Sequence, residues 1–309
     1  MITRSITLAL ATTLGLVATG QAQTPAPRPL TFEVGIDVTN LNVSVRDGRN
    51  FVGGLKQEDF SVFEDGVEQR LSLFVHGRLP ISLVLMIDTS ASMTAKLPIA
   101  QKAAGRFLDT LEAGDRAQVI AFNERVMTLA DFTEDHPALE AAIARTEASG
   151  ATALHNAVYV ALKGLAGQRT PGVLRRRAIV LLSDGEDTSS LVTDEQVIDL
   201  ARKTEVALYA VSLRPERDLD RERRNFSQAA YLLTTLSQES GGRVFFPSSL
   251  SELDDVYGRI AEELRTLYGL GYVSNNKRRD GKWRRIVVRV PSREGLEVRH
   301  KIGYVGPRG

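Results

Sequence analysis

Cysteine is absent from this chain of 309 residues, and aromatic residues make up only 6% of it. Without cysteine there can be no disulfides, zinc–thiolate centres, thiol nucleophiles or lipid-attachment cysteine. The chain must therefore be stabilised by its core. With 43% hydrophobic residues, it is long enough to build one full core and part of another.

An excess of either charge is also lacking, because 39 Lys and Arg residues stand against 38 Asp and Glu residues. This balance leaves no overall field that would hold nucleic acid or an anionic membrane. A partner must therefore be chosen by a local site.

The first residues have the pattern of an export signal. Arg4 precedes the uncharged, largely apolar run Ile6–Ala18, and small residues at 20–22 offer a cleavage site. The run is shorter than the roughly 18 to 20 residues that span a bilayer. We therefore expect residues 1–22 to be removed, leaving a mature chain without a membrane span. The proline-rich stretch 23–30 is expected to be a linker.

The middle of the chain alternates buried strands with amphipathic helices. Ile81–Ile87 is almost continuously apolar, as is typical of a parallel strand covered on both faces. In one predicted helix, Ile99, Ala103 and Phe107 share a face. Further apolar strands are predicted at Ala117–Phe122, Ala178–Leu182, Val206–Val211 and Arg243–Phe246, with a weaker edge strand at Val126–Phe132. This order predicts a doubly wound α/β domain over residues 80–268.

The segments on either side have strand patterns. Before the α/β region, Leu71–Val75 follows the turn dipeptide Asp65-Gly66, which predicts a hairpin with Phe60–Phe63. After it, Asp280-Gly281 predicts another hairpin between Leu270–Val273 and Ile286–Val290. Each segment is too short for a secure core. We therefore expect residues 23–79 and 269–309 to pack together as a second, smaller β unit.

Oxygen-bearing side chains follow two of the buried strands. Asp88, Ser90 and Ser92 come directly after the first strand, and Asp184 follows Ala178–Leu182. Between them, Thr152 opens a helix. If the two strands are neighbours, these residues meet in the crevice where ligands bind to open α/β sheets. Two repelling carboxylates with three hydroxyls predict a site for a hard divalent cation.

The pattern Asp88-Thr89-Ser90-Ala91-Ser92, then Thr152, then Asp184 before a glycine resembles the metal-ion-dependent adhesion site of von Willebrand factor type A (vWA) domains. The resemblance implies a mostly parallel six-stranded sheet wrapped by helices. It also implies bound Mg²⁺, with Mn²⁺ or Ca²⁺ as alternatives, and a protein partner whose acidic residue supplies the last metal ligand. The flanking segments resemble a bacterial exported vWA-related group in Gly54-Leu55 to Asp59-Phe60, Glu64-Asp65-Gly66 and Gly303-Tyr304. This resemblance implies a periplasmic or extracellular location.

Three functions are open for such a chain. A metal-dependent protein-binding or adhesion module is favoured over a metal-assisted phosphoester hydrolase, since the sequence has no Gly-x-Ser-x-Gly elbow, His-Glu-x-x-His motif or P-loop. We therefore expect no enzymatic activity. A structural domain with a vestigial site is disfavoured by the complete set of five residues. Glu186 and Asp187 could be additional ligands and His155 a base, but residues of these types at a loop rim or helix start are usually solvated or packed.

Overall fold

The computed structural model describes residues 38–168, 174–184, 186–213 and 228–309. The predicted export signal, the linker at 23–30 and Gly185 lie outside these ranges. Within them, no helix is both long enough and apolar enough to cross a membrane.

The strands of the described chain, in order, are β1 (Val38–Asp47), β2 (Asn50–Phe51), β3 (Ser61–Glu64), β4 (Val67–Gln69), β5 (Leu71–Val75), β6 (Ile81–Asp88), β7 (Arg116–Phe122), β8 (Val126–Thr133), β9 (Arg176–Ser183), β10 (Ala207–Ser212), β11 (Arg243–Phe245), β12 (Tyr268–Val273), β13 (Trp283–Arg289), β14 (Glu297–Arg299) and β15 (Gly303–Val305). The helices are α1 (Leu97–Leu108), α2 (His136–Ala144), α3 (Leu154–Gly167), α4 (Asp194–Lys203), α5 (Gln228–Ser240) and α6 (Leu253–Thr266).

A six-stranded mixed sheet forms the centre of the molecule, in the order β11-β10-β9-β6-β7-β8. Its pairings from β11 to β7 are parallel, and only β8 runs antiparallel to its neighbour β7. All eight residues of β6 are buried, because its continuous apolar run is covered on both faces. The weak strand predicted at 126–132 is β8, and it lies at an edge of the sheet.

Helices cover both faces of this sheet and create two apolar clusters. Helices α1, α2 and α6 pack on one face, where the rings of Phe107 and Tyr257 stack at 4.8 Å. Helices α3, α4 and α5 pack on the other. The predicted apolar face of α1 is wrong at Ile99, which is 44% exposed. Ala103 and Phe107 are buried as predicted, and Leu97, Ala100 and Ala104 are buried beside them, so the buried face of α1 is centred away from Ile99.

The segments before and after the α/β region share two sheets. One has the order β14-β1-β12-β5, with β2 beside β1, and the other has the order β15-β13-β3-β4. Strand β1 pairs antiparallel with β12, from Val38 opposite Val273 to Val43 opposite Tyr268. A third apolar cluster lies between these strands. The pairing connects segments more than 200 residues apart in the chain. The division into domains at residues 80 and 268 stays a prediction.

Two predicted hairpins differ from the structure. The Asp65-Gly66 turn brings Val67 opposite Glu64, so the partner of β3 is the short strand β4 directly after the turn. The predicted partner, Leu71–Val75, is β5 and pairs with β12 in the other sheet. Strands β12 and β13 also lie in different sheets, so Asp280-Gly281 does not join a hairpin. Asp280 bridges to Arg308 instead.

Arg176 lies where the chain enters and leaves the α/β region. Its buried guanidinium donates hydrogen bonds to the carbonyl oxygens of Gly77 (3.1 Å) and Leu264 (2.8 Å), and also to that of Leu267. Burial lowers the pKa of Arg176 to about 10, which still leaves it charged at neutral pH. One side chain therefore ties together the entry to β6 and the exit from α6.

Candidate metal centre

The strands that carry the two predicted aspartates are neighbours. Strands β6 and β9 pair in parallel, with Ile87 opposite Leu182. Both strands therefore end at the same edge of the sheet, and the strand order reverses between them, because the chain passes from β6 to β7 and β8 on one side before it returns to β9 on the other. This is the position at which open α/β sheets bind ligands.

Asp88 is fully buried and accepts a hydrogen bond on each carboxylate oxygen. The backbone N–H of Ser90 donates to Oδ1 (2.9 Å), and the hydroxyl of Ser183 donates to Oδ2 (2.6 Å). Burial raises the pKa of Asp88, the hydrogen bonds from Ser183 and Ser90 act against this, and the nearby charge of Asp184 raises it further. A carboxylate in this environment is stabilised by an added positive charge.

Ser90 and Ser92 are presented by the turn that follows β6. Their hydroxyl oxygens lie 3.0 Å apart, and a short 3₁₀ turn at Ala91–Met93 holds them in that geometry. Met93 is buried under the turn and anchors it to the apolar core. Ser90 is buried whereas Ser92 is exposed, so the site opens to solvent on the Ser92 side.

Thr152 lies in a loop that is joined to the Asp88–Ser92 turn through the backbone. The N–H of Ala91 donates to the carbonyl of Gly150 (3.0 Å), and the N–H of Ser149 donates to the carbonyl of Thr89 (2.8 Å). These bonds join the residues just before Thr152 to the turn that carries the two serines. Thr152 is itself buried.

The loop after β9 is held against the same residue. The backbone N–H groups of Thr188 and Ser189 donate to the carbonyl of Thr152 (2.8 and 3.0 Å), and the N–H of Thr152 donates to the hydroxyl of Thr188 (3.0 Å). The backbone of Thr152 thus connects the loop before α3 with the loop that begins at Asp184.

Asp184 has unequal partners on its two oxygens. Oδ2 lies 3.3 Å from the ammonium nitrogen of Lys96. Oδ1 is buried and has no hydrogen-bond partner among the described residues. A buried carboxylate oxygen without a partner is costly, and a cation at this position would satisfy it.

The donor set suits a hard cation. Carboxylate and hydroxyl oxygens are the ligands that Mg²⁺, Mn²⁺ and Ca²⁺ prefer. In the described part of the chain there is no group of three or more His, Asp or Glu side chains arranged to hold a metal. The predicted set is of a different kind, with two carboxylates and three hydroxyls.

The other acidic and basic residues near the rim are used within the protein. Asp187 accepts hydrogen bonds from the N–H of His155 (3.2 Å) and the hydroxyl of Ser190 (2.6 Å). A ring nitrogen of His155 lies 3.0 Å from the carbonyl oxygen of Val192. These contacts brace the loop after β9 against the start of α3, as the packed interpretation of His155 predicts.

Three residues at the site were not singled out from the sequence. Ser183, which binds Asp88, could have been found because it ends a buried strand beside Asp184. Glu124 accepts from the N–H of Ala151 (3.1 Å), and its carboxylate occupies the space that a side chain at Gly150 would need, at a φ of +77°. No sequence motif indicates Glu124 or Lys96, because both reach the site from loops whose positions depend on the fold.

Comparison with known proteins gives a consistent assignment for the central region. Residues 83–186 match the family model described as von Willebrand factor type A domain. A UPF0353 protein from Nocardia farcinica is 27% identical over 216 residues, covering 59% of this chain and 63% of the relative. A UPF0353 protein from Mycolicibacterium vanbaalenii is 28% identical over 203 residues, covering 59% of this chain and 60% of the relative. The match thus spans less than two thirds of the length of these relatives.

Solved structures with a similar arrangement were also found. A von Willebrand factor type A structure from Catenulispora acidiphila is 14% identical, with a TM-score of 0.49, and the match covers 90% of this chain and 76% of that one. Proximal thread matrix protein 1 from the mussel byssus, solved with a zinc-occupied metal-ion-dependent adhesion site motif, is 16% identical, with a TM-score of 0.49. That match covers 66% of this chain and 50% of the mussel protein.

Proposed function

Given that the chain contains a von Willebrand factor type A domain, we propose that it binds a protein partner through a divalent cation and has no catalytic role. Asp88 and Asp184 supply the two carboxylates, and Ser90, Ser92 and Thr152 supply hydroxyls. An acidic side chain of the partner completes the coordination. Mg²⁺ is the proposed ion, with Mn²⁺ or Ca²⁺ as alternatives.

The observation that carries this proposal is the incomplete hydrogen bonding of the Asp184 carboxylate. One of its oxygens is buried and has no hydrogen-bond partner within the ranges that the structure describes, and its charge acts on the buried carboxylate of Asp88. A purely structural aspartate would be expected to have both oxygens satisfied. The arrangement fits a residue whose last partner is an ion.

The charges of the proposed ligands explain why the partner should be acidic. Two carboxylates neutralise a 2+ ion without overcharging it, and the hydroxyls add no charge. The bound ion therefore keeps an attraction for an outside carboxylate, which is the chemistry it supplies to the site. Asp88 is held rigidly by Ser90 and Ser183, whereas Ser92 lies at the open side. A partner would approach from there.

Partner binding is favoured over hydrolysis because His155, the histidine at the rim, makes contacts within the protein that leave it out of position to act as a general base. His155 contacts the Val192 carbonyl and lies 3.8 Å from a carboxylate oxygen of Asp187, so it holds a loop together. We also propose, from the sequence of residues 1–22 alone, that the chain is exported to the periplasm or the cell exterior.

The metal site can be tested by calorimetry with Mg²⁺. We expect Asp184→Asn to weaken Mg²⁺ binding at least about tenfold, which corresponds to about 1.4 kcal/mol. Asp131→Asn, the same substitution at an exposed position on β8, is the matched control and should bind as the native chain does. Mg²⁺ at about 100 times its dissociation constant should also stabilise the native fold by about 2.7 kcal/mol. Equal Mg²⁺ affinity in Asp184→Asn and the native chain would contradict the proposed site.

The partner can be sought by affinity capture from a bacterial envelope extract. A protein recovered in Mg²⁺ should be lost in EDTA and reduced with Thr152→Ala, because both changes remove the ion's contact. Recovery that is equal in Mg²⁺ and EDTA would place the interaction on another surface.

A further inference from the structure

We propose that Lys96 is a built-in competitor of the divalent cation, occupying Asp184 when the ion is absent and thereby setting the ion concentration at which the site fills. This inference rests on the proposed metal site and adds a regulatory element to it. The ammonium of Lys96 lies 3.3 Å from Oδ2 of Asp184, and this is a cation already placed on a proposed metal ligand.

The backbone of Lys96 is held by hydrogen bonds, whereas its side chain is partly exposed to solvent. Its N–H donates to the carbonyl of Met93 (2.9 Å), and its own carbonyl accepts from the N–H of Ala100 (3.0 Å) at the start of α1. These two hydrogen bonds therefore fix the backbone of Lys96 between the turn that carries Ser92 and the start of α1. Its side chain is 23% exposed, against 5% for Asp184. A flexible four-carbon stem with partial access to water allows the ammonium to leave the carboxylate.

An ammonium and a divalent ion cannot share Asp184 without mutual repulsion. A hard ion bound to this carboxylate would lie about 2.0 to 2.6 Å from its oxygen. The Lys96 ammonium would then be within a few ångströms of the ion, at a site where burial weakens solvent screening. Binding of the ion must displace Lys96 toward solvent or proceed against its charge.

The same contact should stabilise the protein when no ion is bound. Without Lys96, the charge of Asp184 would still act on the carboxylate of Asp88, and no other ion pair of Asp184 is seen among the described residues. Lys96 therefore favours the metal-free state and adds nothing to the metal-bound state. Its removal should have opposite effects on the two quantities that can be measured, the stability of the metal-free protein and its affinity for metal.

The test compares Lys96→Met with Lys102→Met, which removes the same charge from an exposed position on α1, the helix that Lys96 directly precedes. Mg²⁺ affinity is measured by calorimetry on the full chain, and thermal unfolding is measured in EDTA and in saturating Mg²⁺. We expect Lys96→Met to bind Mg²⁺ roughly three- to tenfold more tightly than Lys102→Met. Its unfolding temperature should be lowered in EDTA and unchanged in Mg²⁺.

Each outcome has a distinct meaning. Tighter Mg²⁺ binding by Lys96→Met alone supports the inference, including the case in which the native chain binds too weakly to detect. Equal or weaker binding than Lys102→Met overturns it while leaving the metal site intact, provided that Asp184→Asn still loses affinity. Absence of Mg²⁺ binding in the native chain and in Lys96→Met overturns both the inference and the proposed function.

Discussion

Two buried carboxylates of the molecule, Glu64 in the terminal β segments and Asp184 in the α/β region, have opposite surroundings. In the β unit, Glu64 is enclosed and satisfied: Ser274 donates to Oε1 (2.6 Å), while Tyr272 and Tyr304 donate to Oε2 (both 2.9 Å). The buried guanidinium of Arg284 lies 3.5 Å from Oε1. In the α/β region, Asp184 lies at the carboxyl edge of apolar, buried strands, and one of its oxygens has no hydrogen-bond partner in the described part of the chain.

We propose that this difference separates a structural carboxylate, Glu64, from Asp184 as a ligand of an ion. Burial alone does not distinguish them, because Glu64 and Asp184 are both nearly inaccessible. Their partners do, since both oxygens of Glu64 have donors, whereas Asp184 keeps one oxygen without a partner among the described residues. An oxygen of this kind is not sufficient by itself, because Glu239 also has one; Asp184 differs in lying at the carboxyl edge of the sheet, where its charge acts on Asp88. Four measurements can test this difference.

The largest effect should come from removing the C-terminal strands. A chain that ends at Tyr268 lacks the remainder of β12 and all of β13–β15, so β1 loses its central partner and the apolar cluster between the sheets is opened. Hydrogen exchange should show loss of amide protection across residues 38–75, whereas β6 stays protected because its own sheet is complete. Unchanged protection across 38–75 would mean that the two β segments fold independently.

Glu64→Gln should destabilise the protein by about 3 kcal/mol, since it leaves Arg284 as a buried charge without its partner. The measurement is the free energy of unfolding from urea titration. Glu68→Gln, on the exposed strand β4, is the matched control and should change that free energy by less than about 0.5 kcal/mol. Equal effects of the two substitutions would show that the Glu64 network does not stabilise the fold.

Acidification should weaken the β unit through His300. Its Nε2 accepts from the N–H of Val288 (3.1 Å) and its Nδ1 faces the carbonyl of Lys301 (2.7 Å), an arrangement that suits a neutral ring. Burial lowers the pKa of His300. In the unfolded chain histidine takes up a proton near pH 6.5, so the free energy of unfolding should fall as pH drops below that value toward the lower folded pKa. The fall should be smaller in His300→Gln, and identical pH profiles would contradict the assignment.

Asp184→Asn should have the smallest effect on stability in EDTA, less than about 1 kcal/mol, because the contact it removes is with a partly exposed lysine that can turn to water. Urea titration beside Glu64→Gln gives the comparison directly. A loss as large as that of Glu64→Gln would make Asp184 a structural residue.

Much of the sheet and of the site could be predicted from local patterns. The run Ile81–Ile87 indicated a strand buried on both faces, and the oxygen-bearing residues after it indicated where a ligand could bind. The structure makes β6 and β9 neighbours, as the metal site required. Whether the five residues bind an ion is still a prediction.

The errors occurred where pairing depends on distant segments. Leu71–Val75 has a strand pattern, but its partner β12 lies almost 200 residues away, and no local signal identifies it. Ile99 fits the helical stripe of Ala103 and Phe107, yet α1 docks so that these two are buried together with Leu97, Ala100 and Ala104 while Ile99 is exposed. Lys96 was missed for the same reason, since its contact with Asp184 joins residues that are 88 positions apart.

The hydrogen bonds of Arg176 have a mechanical consequence. The chain passes between the terminal β segments and the α/β region twice, once before β6 and once after α6. The guanidinium of Arg176 donates hydrogen bonds to backbone carbonyls at both crossings. The two crossings are therefore held together at one point, at the end of the sheet opposite Asp88. A pulling force applied by a partner at the Ser92 side would be transmitted along β6 and β9 to this point. The force would act parallel to the strands and would not separate neighbouring strands one after another.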